Sequence, residues 1–550
     1  MNSRLPYALL MLAGTLFAQD PPRPRSIEER FRQFDRNGDG KVTAEEMGNP
    51  EMHRRLDRNG DGVVTLEEAR EALRTRRSER DLPSAPPATI PEGVDVNARP
   101  GPPPPEPPLS KSRAFADLKF SKDYSPGTKD ARGQRMGGTE TMRFLHHQGK
   151  LFASTGAWMD LPYGPRPEGR PAWTGPQILV KESAAGPWRV DVSFPLAVRV
   201  DAMISATFVT DGSGRKLESP VNLLVASPSS ENTATWTRDD ASDAWAESLA
   251  AEGLRGGLRS FCTHTDRVTG IQYLFGGSTK SGSVFRAVYD PAAPGKLRWH
   301  GEPELSGTGR MMCMAEADGV LYAAGGIKDE TPLSGGFFRR VDGEKPRWEL
   351  LWRWPHKITE KGDEMEILRG LTPIPDPKGS GREVLLGACN YPGVVYRIDP
   401  ARKFEVATEL DTRAYFGRVF GVGELKGPCL TAYNNFLAAT HPGTGERVHL
   451  LGLWINAPAG RGTDEGGSAW YLVRHPDGTY AHGRIFDPAN PRPNPPRGLL
   501  ATRTIEVSPF PEDKGRVLYF GGYDCAGVES RDTAWIYRGE IGPGLEPRKP

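Results

Sequence analysis

Two stretches of this chain carry oxygen-bearing side chains at a spacing that suits a hard cation. The first reads Asp35-Arg36-Asn37-Gly38-Asp39-Gly40-Lys41-Val42-Thr43-Ala44-Glu45-Glu46, and the second Asp57-Arg58-Asn59-Gly60-Asp61-Gly62-Val63-Val64-Thr65-Leu66-Glu67-Glu68. Calcium takes six to eight oxygens at about 2.3–2.6 Å, and a short loop supplies them only if alternate residues turn inward. Positions 1, 3, 5 and 9 offer Asp35, Asn37, Asp39 and Thr43, then Asp57, Asn59, Asp61 and Thr65. The seventh residue, Lys41 or Val63, contributes a backbone carbonyl. The twelfth, Glu46 or Glu68, contributes both carboxylate oxygens. Gly40 and Gly62 stand where such a loop turns too sharply for a side chain.

Both copies resemble the EF-hand loop at every signature position. The resemblance implies a small all-α pair of calcium sites over residues 26–80, holding two Ca2+ ions. It also implies a short β bridge through Val42 and Val64. Ser26 with Glu29 has the spacing that caps and starts an entry helix. Thr43 with Glu46, and Thr65 with Glu68, repeat that spacing at the exit helices. The distance between loops also resembles that of dockerin modules, although those carry Asp rather than Glu at the last position.

The elements around these loops follow from composition. Residues 1–18 read as a signal peptide: Arg4 precedes an apolar run from Leu5 to Phe17, and Ala18 offers a small residue for cleavage. The run is too short to span a bilayer, so a secreted or periplasmic protein with no transmembrane segment after cleavage is expected. Lys and Arg (71) balance Asp and Glu (70), which argues against nucleic acid as a partner. Five cysteines, an odd number, leave at least one thiol outside any intramolecular disulfide. Proline is dense over residues 81–112, which reads as an extended spacer.

Residues 113–545 change texture to short β-rich runs broken by glycine and proline turns. Arg259, Cys262, Gly276-Gly277 and Trp299 recur as Arg310, Cys313, Gly325-Gly326 and Trp348. A looser copy contains Arg503, Gly521-Gly522 and Trp535. A period near fifty residues with a Gly-Gly pair and a later Trp resembles the kelch repeat. It implies a large all-β propeller of about seven blades, with six or eight also compatible. Arg199, Arg369 and Arg418 mark further candidate blade starts. The segment from Ala114 to Phe120 is a candidate closing strand.

No nucleophile elbow, zinc-binding His pair or phosphate loop occurs, so catalytic residues are not assignable from sequence. Cys262 and Cys313 read as core residues, with a disulfide as the alternative. The leading arginines either staple blades or form a cationic ring suited to a carboxylate or sulfate. The expectation is an exported calcium-binding protein whose propeller is a platform for a glycan or protein ligand. The alternative is a secreted hydrolase, lyase or oxidase with its site at the propeller mouth.

Overall fold

The computed structural model describes residues 27–47, most of 53–70, and 85–542 with breaks. The longer breaks are 157–173, 328–333, 456–468, 490–498 and 524–531. The expected signal peptide and Cys525 lie outside the described residues. The chain divides into two compact units. One comprises residues 1–84 with segments 163–170 and 357–364, and the other holds the rest.

In the first unit, the helix Ile27–Phe34 leads into the first loop, and Ala44–Met47 leaves it. Residues 66–70 are helical after the second loop. Strands Lys41–Thr43 and Val63–Thr65 pair antiparallel with Val42 opposite Val64, as the loop pattern requires. Both valines are buried with Phe31, Met47 and Ala69, so the bridge doubles as the core of the module. Arg70 donates to Glu28 at 2.8 Å, tying the last helix to the first.

The second unit is mostly β, and its sheets succeed one another along the chain. Sheet I comprises Glu140–His147, Lys150–Gly156, Gln177–Lys181 and Arg189–Ser193. Sheet II comprises Val200–Thr210, Lys216–Pro228, Thr233–Asp239 and Ala244–Ala251. Sheet III is Leu258–Thr265, Gln272–Ser278, Val284–Tyr289 and Leu297–Trp299. Sheet IV is Met311–Ala317, Val320–Ile327, Ser334–Val341 and Arg347–Trp354. Sheet V is Leu368–Pro375, Glu383–Cys389, Val394–Asp399 and Glu405–Asp411. Sheet VI splits its first strand into Cys429–Thr431 and Leu437–Thr440, then continues with Arg447–Ile455, Ala469–Arg474 and Tyr480–Ile485. Sheet VII runs Ala501–Val507, Val517–Tyr523 and Ile536–Ile541, and takes its fourth strand, Leu118–Tyr124, from the other end of the sequence.

First strands of neighbouring sheets lie against each other from I through V, and again from VI to VII and VII to I. At the V–VI junction the Asn435 side chain accepts from Leu371 N–H at 3.1 Å, and Phe436 N–H donates to Thr372 at 2.8 Å. The first strands thus close a ring, an arrangement consistent with a β-propeller. The expected closing strand is present, displaced a few residues to Leu118–Tyr124.

The glycine pairs lie where the ring is tightest. A Cβ on Gly277 of sheet III would come within 2.6 Å of Met311 in the next sheet, and one on Gly521 within 2.6 Å of Thr141. The tryptophans fill the seams between sheets. Trp348 is buried against Tyr273 and Phe275 of sheet III, and Trp299 donates from Nε1 to Thr235 of sheet II at 3.0 Å.

Two expectations are corrected. Arg418 does not open a sheet. It lies on the helix Thr412–Phe420, is half exposed, and pairs with Glu106 at 2.9 Å. Asp411 caps this helix by accepting from the Arg413 and Ala414 N–H groups, Gly421 ends it in the left-handed conformation, and Tyr415, Phe416 and Phe420 bury its apolar face. The proline-rich stretch, expected as a spacer, is from Ala85 onward a belt laid along sheet edges. Thr89 bridges Glu349 of sheet IV, Gly101 bridges Ala407 of sheet V, and Leu109 bridges Tyr480 of sheet VI, all parallel. Thr89 N–H donates to Trp348 O at 2.9 Å, and Gly101 N–H to Val406 O at 3.0 Å. An exposed sheet edge is a row of unpaired backbone groups. Proline cannot donate and is therefore confined to such edges, so a proline-rich segment suits a partial fifth strand.

Replacing Thr89 and Gly101 together by proline removes both donors and is expected to cost about 1 kcal/mol per lost bond. Limited proteolysis of the full chain would then cut within 85–112 well before the sheets unfold. Cleavage unchanged from the parent protein would show that the belt is not held by these bonds.

Candidate functional site

The side chains singled out in the two loops are held by bonds to their own backbone. Asp35 accepts with one carboxylate oxygen from Gly38 N–H (2.8 Å) and Asp39 N–H (3.1 Å), and with the other from Gly40 N–H (3.0 Å). Asp57 repeats this with Gly60 (2.8 Å), Asp61 (3.2 Å) and Gly62 (2.9 Å). Asn37 and Asn59 each accept from the N–H two residues on, at 2.9 Å, and Asp39 and Asp61 do the same at 2.8 and 3.0 Å. Gly40 and Gly62 have φ of 80° and 85°, the left-handed turn expected of them.

Glu46 accepts from both the N–H and the hydroxyl of Thr43, at 2.9 and 3.0 Å, while Thr43 Oγ1 accepts from Glu46 N–H at 3.2 Å. Thr65 and Glu68 form the same reciprocal cap at 2.8, 2.8 and 3.2 Å. The Thr43 N–H holds the Glu46 carboxyl below its ordinary range against the opposing effect of burial. The Asn37 and Arg36 N–H groups act in the same direction, so the last carboxylate reaches back to the loop's start. The donor set is carboxylate, amide, hydroxyl and carbonyl oxygen, the chemistry of a hard cation and not of a soft one. Among the described residues no three His, Cys, Asp or Glu side chains already close round a common point. The loop carboxylates Asp35, Asp39, Asp57 and Asp61 accept from backbone N–H groups of their own loops.

The leading arginines gather at the ring's axis. Arg259, Arg369 and Arg503 are 3%, 5% and 4% exposed, on the first strands of sheets III, V and VII. Arg259 donates to Asp201 at 3.2 Å, and Arg503 to Glu140. Arg143 reaches across to the Asp201 and Arg259 carbonyls at 3.4 Å each. Burial pulls the Arg143 guanidinium down to about 10, helped by the charge of Arg503.

The staples between sheets come from a different place, which sequence reasoning missed. A cation near the end of a third strand pairs with an acid on, or just after, the fourth strand of the preceding sheet. Lys181 meets Asp123 at 3.4 Å, Arg238 meets Asp191 at 2.9 Å, Arg340 meets Glu304 at 2.6 Å, and Arg474 meets Glu409 at 2.6 Å. A basic residue near the end of the third strand in sheets I, II, IV and VI was the available signal.

Two buried histidines extend these seams. His147 bonds Ser205 at 2.7 Å and Asp240 at 2.8 Å, which has the composition of a nucleophilic triad. His264 occupies the corresponding place between sheets III and IV, with Glu316 at 2.6 Å where Ser205 stands and Asp342 at 2.9 Å. Replacement of the serine by a carboxylate at the related junction identifies the pair as repeated packing, not a hydrolytic centre. Cys262 and Cys313 carry free thiols, which corrects the disulfide alternative, and burial pushes each up to about 12.

Residues 27–49 and 54–71 match the EF-hand family model. No curated protein matches the chain. Among solved structures, Sqt1 of Chaetomium thermophilum is 10% identical at a TM-score of 0.38, over 77% of this chain and 99% of that one. Trypanosoma rangeli sialidase is 10% identical at 0.33, over 78% and 59%. A GH43 β-1,3-galactosidase is 12% identical at 0.26, over 52% and 98%. At such scores the likeness decides neither fold nor activity.

Burial draws the His264 pKa down, but the Glu316 and Asp342 carboxylates outweigh it and leave the pKa raised. Burial likewise raises Asp342, but the hydrogen bonds from His264 and Arg267 outweigh it and leave the carboxyl below its ordinary range. The imidazolium pairing therefore stabilises fully below the ordinary histidine range and is lost as pH rises through the raised pKa. The Asp342 share is lost only in acid, as pH falls through its lowered value. His264→Gln is expected to cost on the order of 1–3 kcal/mol at pH 5.5 and distinctly less at pH 9, read from urea midpoints. An equal cost at both pH values would show that His264 does not change its charge between them.

Proposed function

We propose that this chain is an exported calcium-binding protein in which each N-terminal loop holds one calcium ion. The kelch-like propeller that follows serves as a platform for a ligand. The observation that carries the reading is the coincidence of a full twelve-residue pattern, a family match and a paired-loop backbone in both copies. Asp35, Asn37, Asp39, Thr43 and Glu46, with the Lys41 carbonyl, would hold the first ion. Asp57, Asn59, Asp61, Thr65 and Glu68, with the Val63 carbonyl, would hold the second. Calcium supplies the positive charge that three carboxylates per loop otherwise lack, and it locks the loops. The chain itself provides the coupling, because Val42 and Val64 share one core and one ladder. Export is supported by the charge and apolar pattern of residues 1–18. Outside the cytoplasm calcium is abundant, so the ions would be structural rather than a switch.

Calorimetric titration of the full chain is expected to show two calcium ions bound with Kd on the order of 10⁻⁶–10⁻⁴ M. Glu46→Gln and Glu68→Gln should each remove one of them. Chelation should expose the N-terminal module to protease while the melting of the β unit stays where it was. Absence of calcium heat, or unchanged binding in both variants, would sink the proposal.

A further inference from the structure

We infer that a pocket at the outer edge of sheet VI binds the ring of a neutral sugar. The inference rests on the reading of the propeller as a ligand platform and names the chemistry of what the platform takes. The pocket has a volume of about 430 Å³, within the roughly 300–1,000 Å³ of small-ligand sites. The segment leading into the closing strand contributes Arg113 and Asp117, the third strand of sheet VI contributes Trp470, and the fourth contributes His482 and Arg484.

The helix Thr412–Phe420 supports these side chains from behind. Phe416 and Phe420 pack against the Trp470 ring at centroid distances of 5.8 and 5.7 Å, and Trp470 lies 5.9 Å from His482. Trp470 is 7% exposed, and its Nε1 has no partner among the described residues. It is an unsatisfied donor of the kind a ligand oxygen completes. The Tyr415 hydroxyl stands 3.0 Å from the Tyr480 carbonyl and 3.1 Å from His482 Nδ1. A carbonyl only accepts, so both bonds form together when the hydroxyl donates to Tyr480 and Nδ1 donates to the Tyr415 oxygen. That tautomer leaves His482 Nε2 an acceptor. Burial, then the charge of Arg113, pulls the His482 pKa down to about 4, so the ring keeps that lone pair.

Arg113 donates from Nε and Nη2 to Asp117 at 3.1 and 2.5 Å, which leaves Nη1 without a partner among the described residues. The pair holds both side chains in place before a ligand arrives, so little ordering remains to be lost on binding. Arg484 lies over the Phe486 ring at 5.0 Å. Donors and acceptors therefore stand side by side against an aromatic wall. A bare anion would meet the Asp117 carboxylate and the His482 lone pair, and a bare cation would meet Arg113 and Arg484. A ring of hydroxyls, each able to donate and to accept, satisfies both kinds of group, and its C–H face suits the Trp470 wall.

The test is calorimetric titration of the full calcium-loaded chain with the methyl pyranosides of glucose, galactose and mannose, and with glucuronate. Saturable binding of at least one methyl pyranoside is expected, with Kd on the order of 1 mM for a ligand of this size. Asp117→Ala, at a half-exposed position, should weaken it about tenfold or more. His482→Phe, which keeps a ring against Trp470 and removes the acceptor, should do the same. Should His482→Phe fail to fold, Asp117→Ala decides by itself. No saturation by any methyl pyranoside at about 50 mM overturns the pocket. Binding at unchanged affinity in the variants also overturns it, while leaving the propeller a ligand platform with its site elsewhere. Glucuronate binding at least about tenfold more tightly than every methyl pyranoside overturns the neutral sugar.

Discussion

The ring depends on how closely one sheet's first strand can approach the second strand of the sheet before it. A twisted four-stranded sheet has two apolar faces, and only a neighbour on each side buries both. Near the axis the strands converge, and any Cβ on the facing position would collide with the incoming strand. Gly277 admits Met311, Gly452 admits Thr502, and Gly521 admits Thr141. With those contacts made, the space farther out between sheets is wide enough for Trp299 and Trp348, and the fully buried Trp352 and Phe275 can close the core. The small residues at the centre and the large ones at the rim are two sides of one geometric requirement.

Charge is used along the same seams in two places. At the ends of the third strands each buried cation faces an acid of the neighbouring sheet, so desolvation is offset by a directed bond. Arg340 is the fullest case, bonded to Glu304, Asp266 and Asp342. Where the first strands begin, buried arginines also bond acids of a neighbouring sheet, Arg259 to Asp201 and Arg503 to Glu140. The outer edges are managed by backbone pairing instead. The belt covers edges of sheets IV, V and VI before the chain enters sheet VII as its fourth strand. One continuous N-terminal segment therefore both protects edges and closes the ring.

The N-terminal loops follow a separate logic, local and nearly complete within twelve residues. Each loop folds its carboxylates onto its own N–H groups and pairs with its twin through a three-residue ladder. That makes the module legible without long-range information, and the pairing of Val42 with Val64 follows from the loop pattern.

What the sequence determined by itself was of this short-range kind. It located the two EF-hand-like loops, whose geometry depends on residues at most eleven positions apart. It also located the glycine and tryptophan repeat, because identical packing demands recur at a fixed period. Tertiary structure decided whatever depends on which strand lies beside which. Arg418 looked like a leading arginine until the capped helix Thr412–Phe420 took its place. Proline density read as a spacer because proline reports only the lack of a donor, not the sheet edge waiting beside it. His264 and Glu316 are 52 residues apart in sequence and 2.6 Å apart across a seam. The leading arginines were visible as a list of positions, but the bonds of Arg259 to Asp201 and of Arg503 to Glu140 exist only because the ring brings the first strands of neighbouring sheets together.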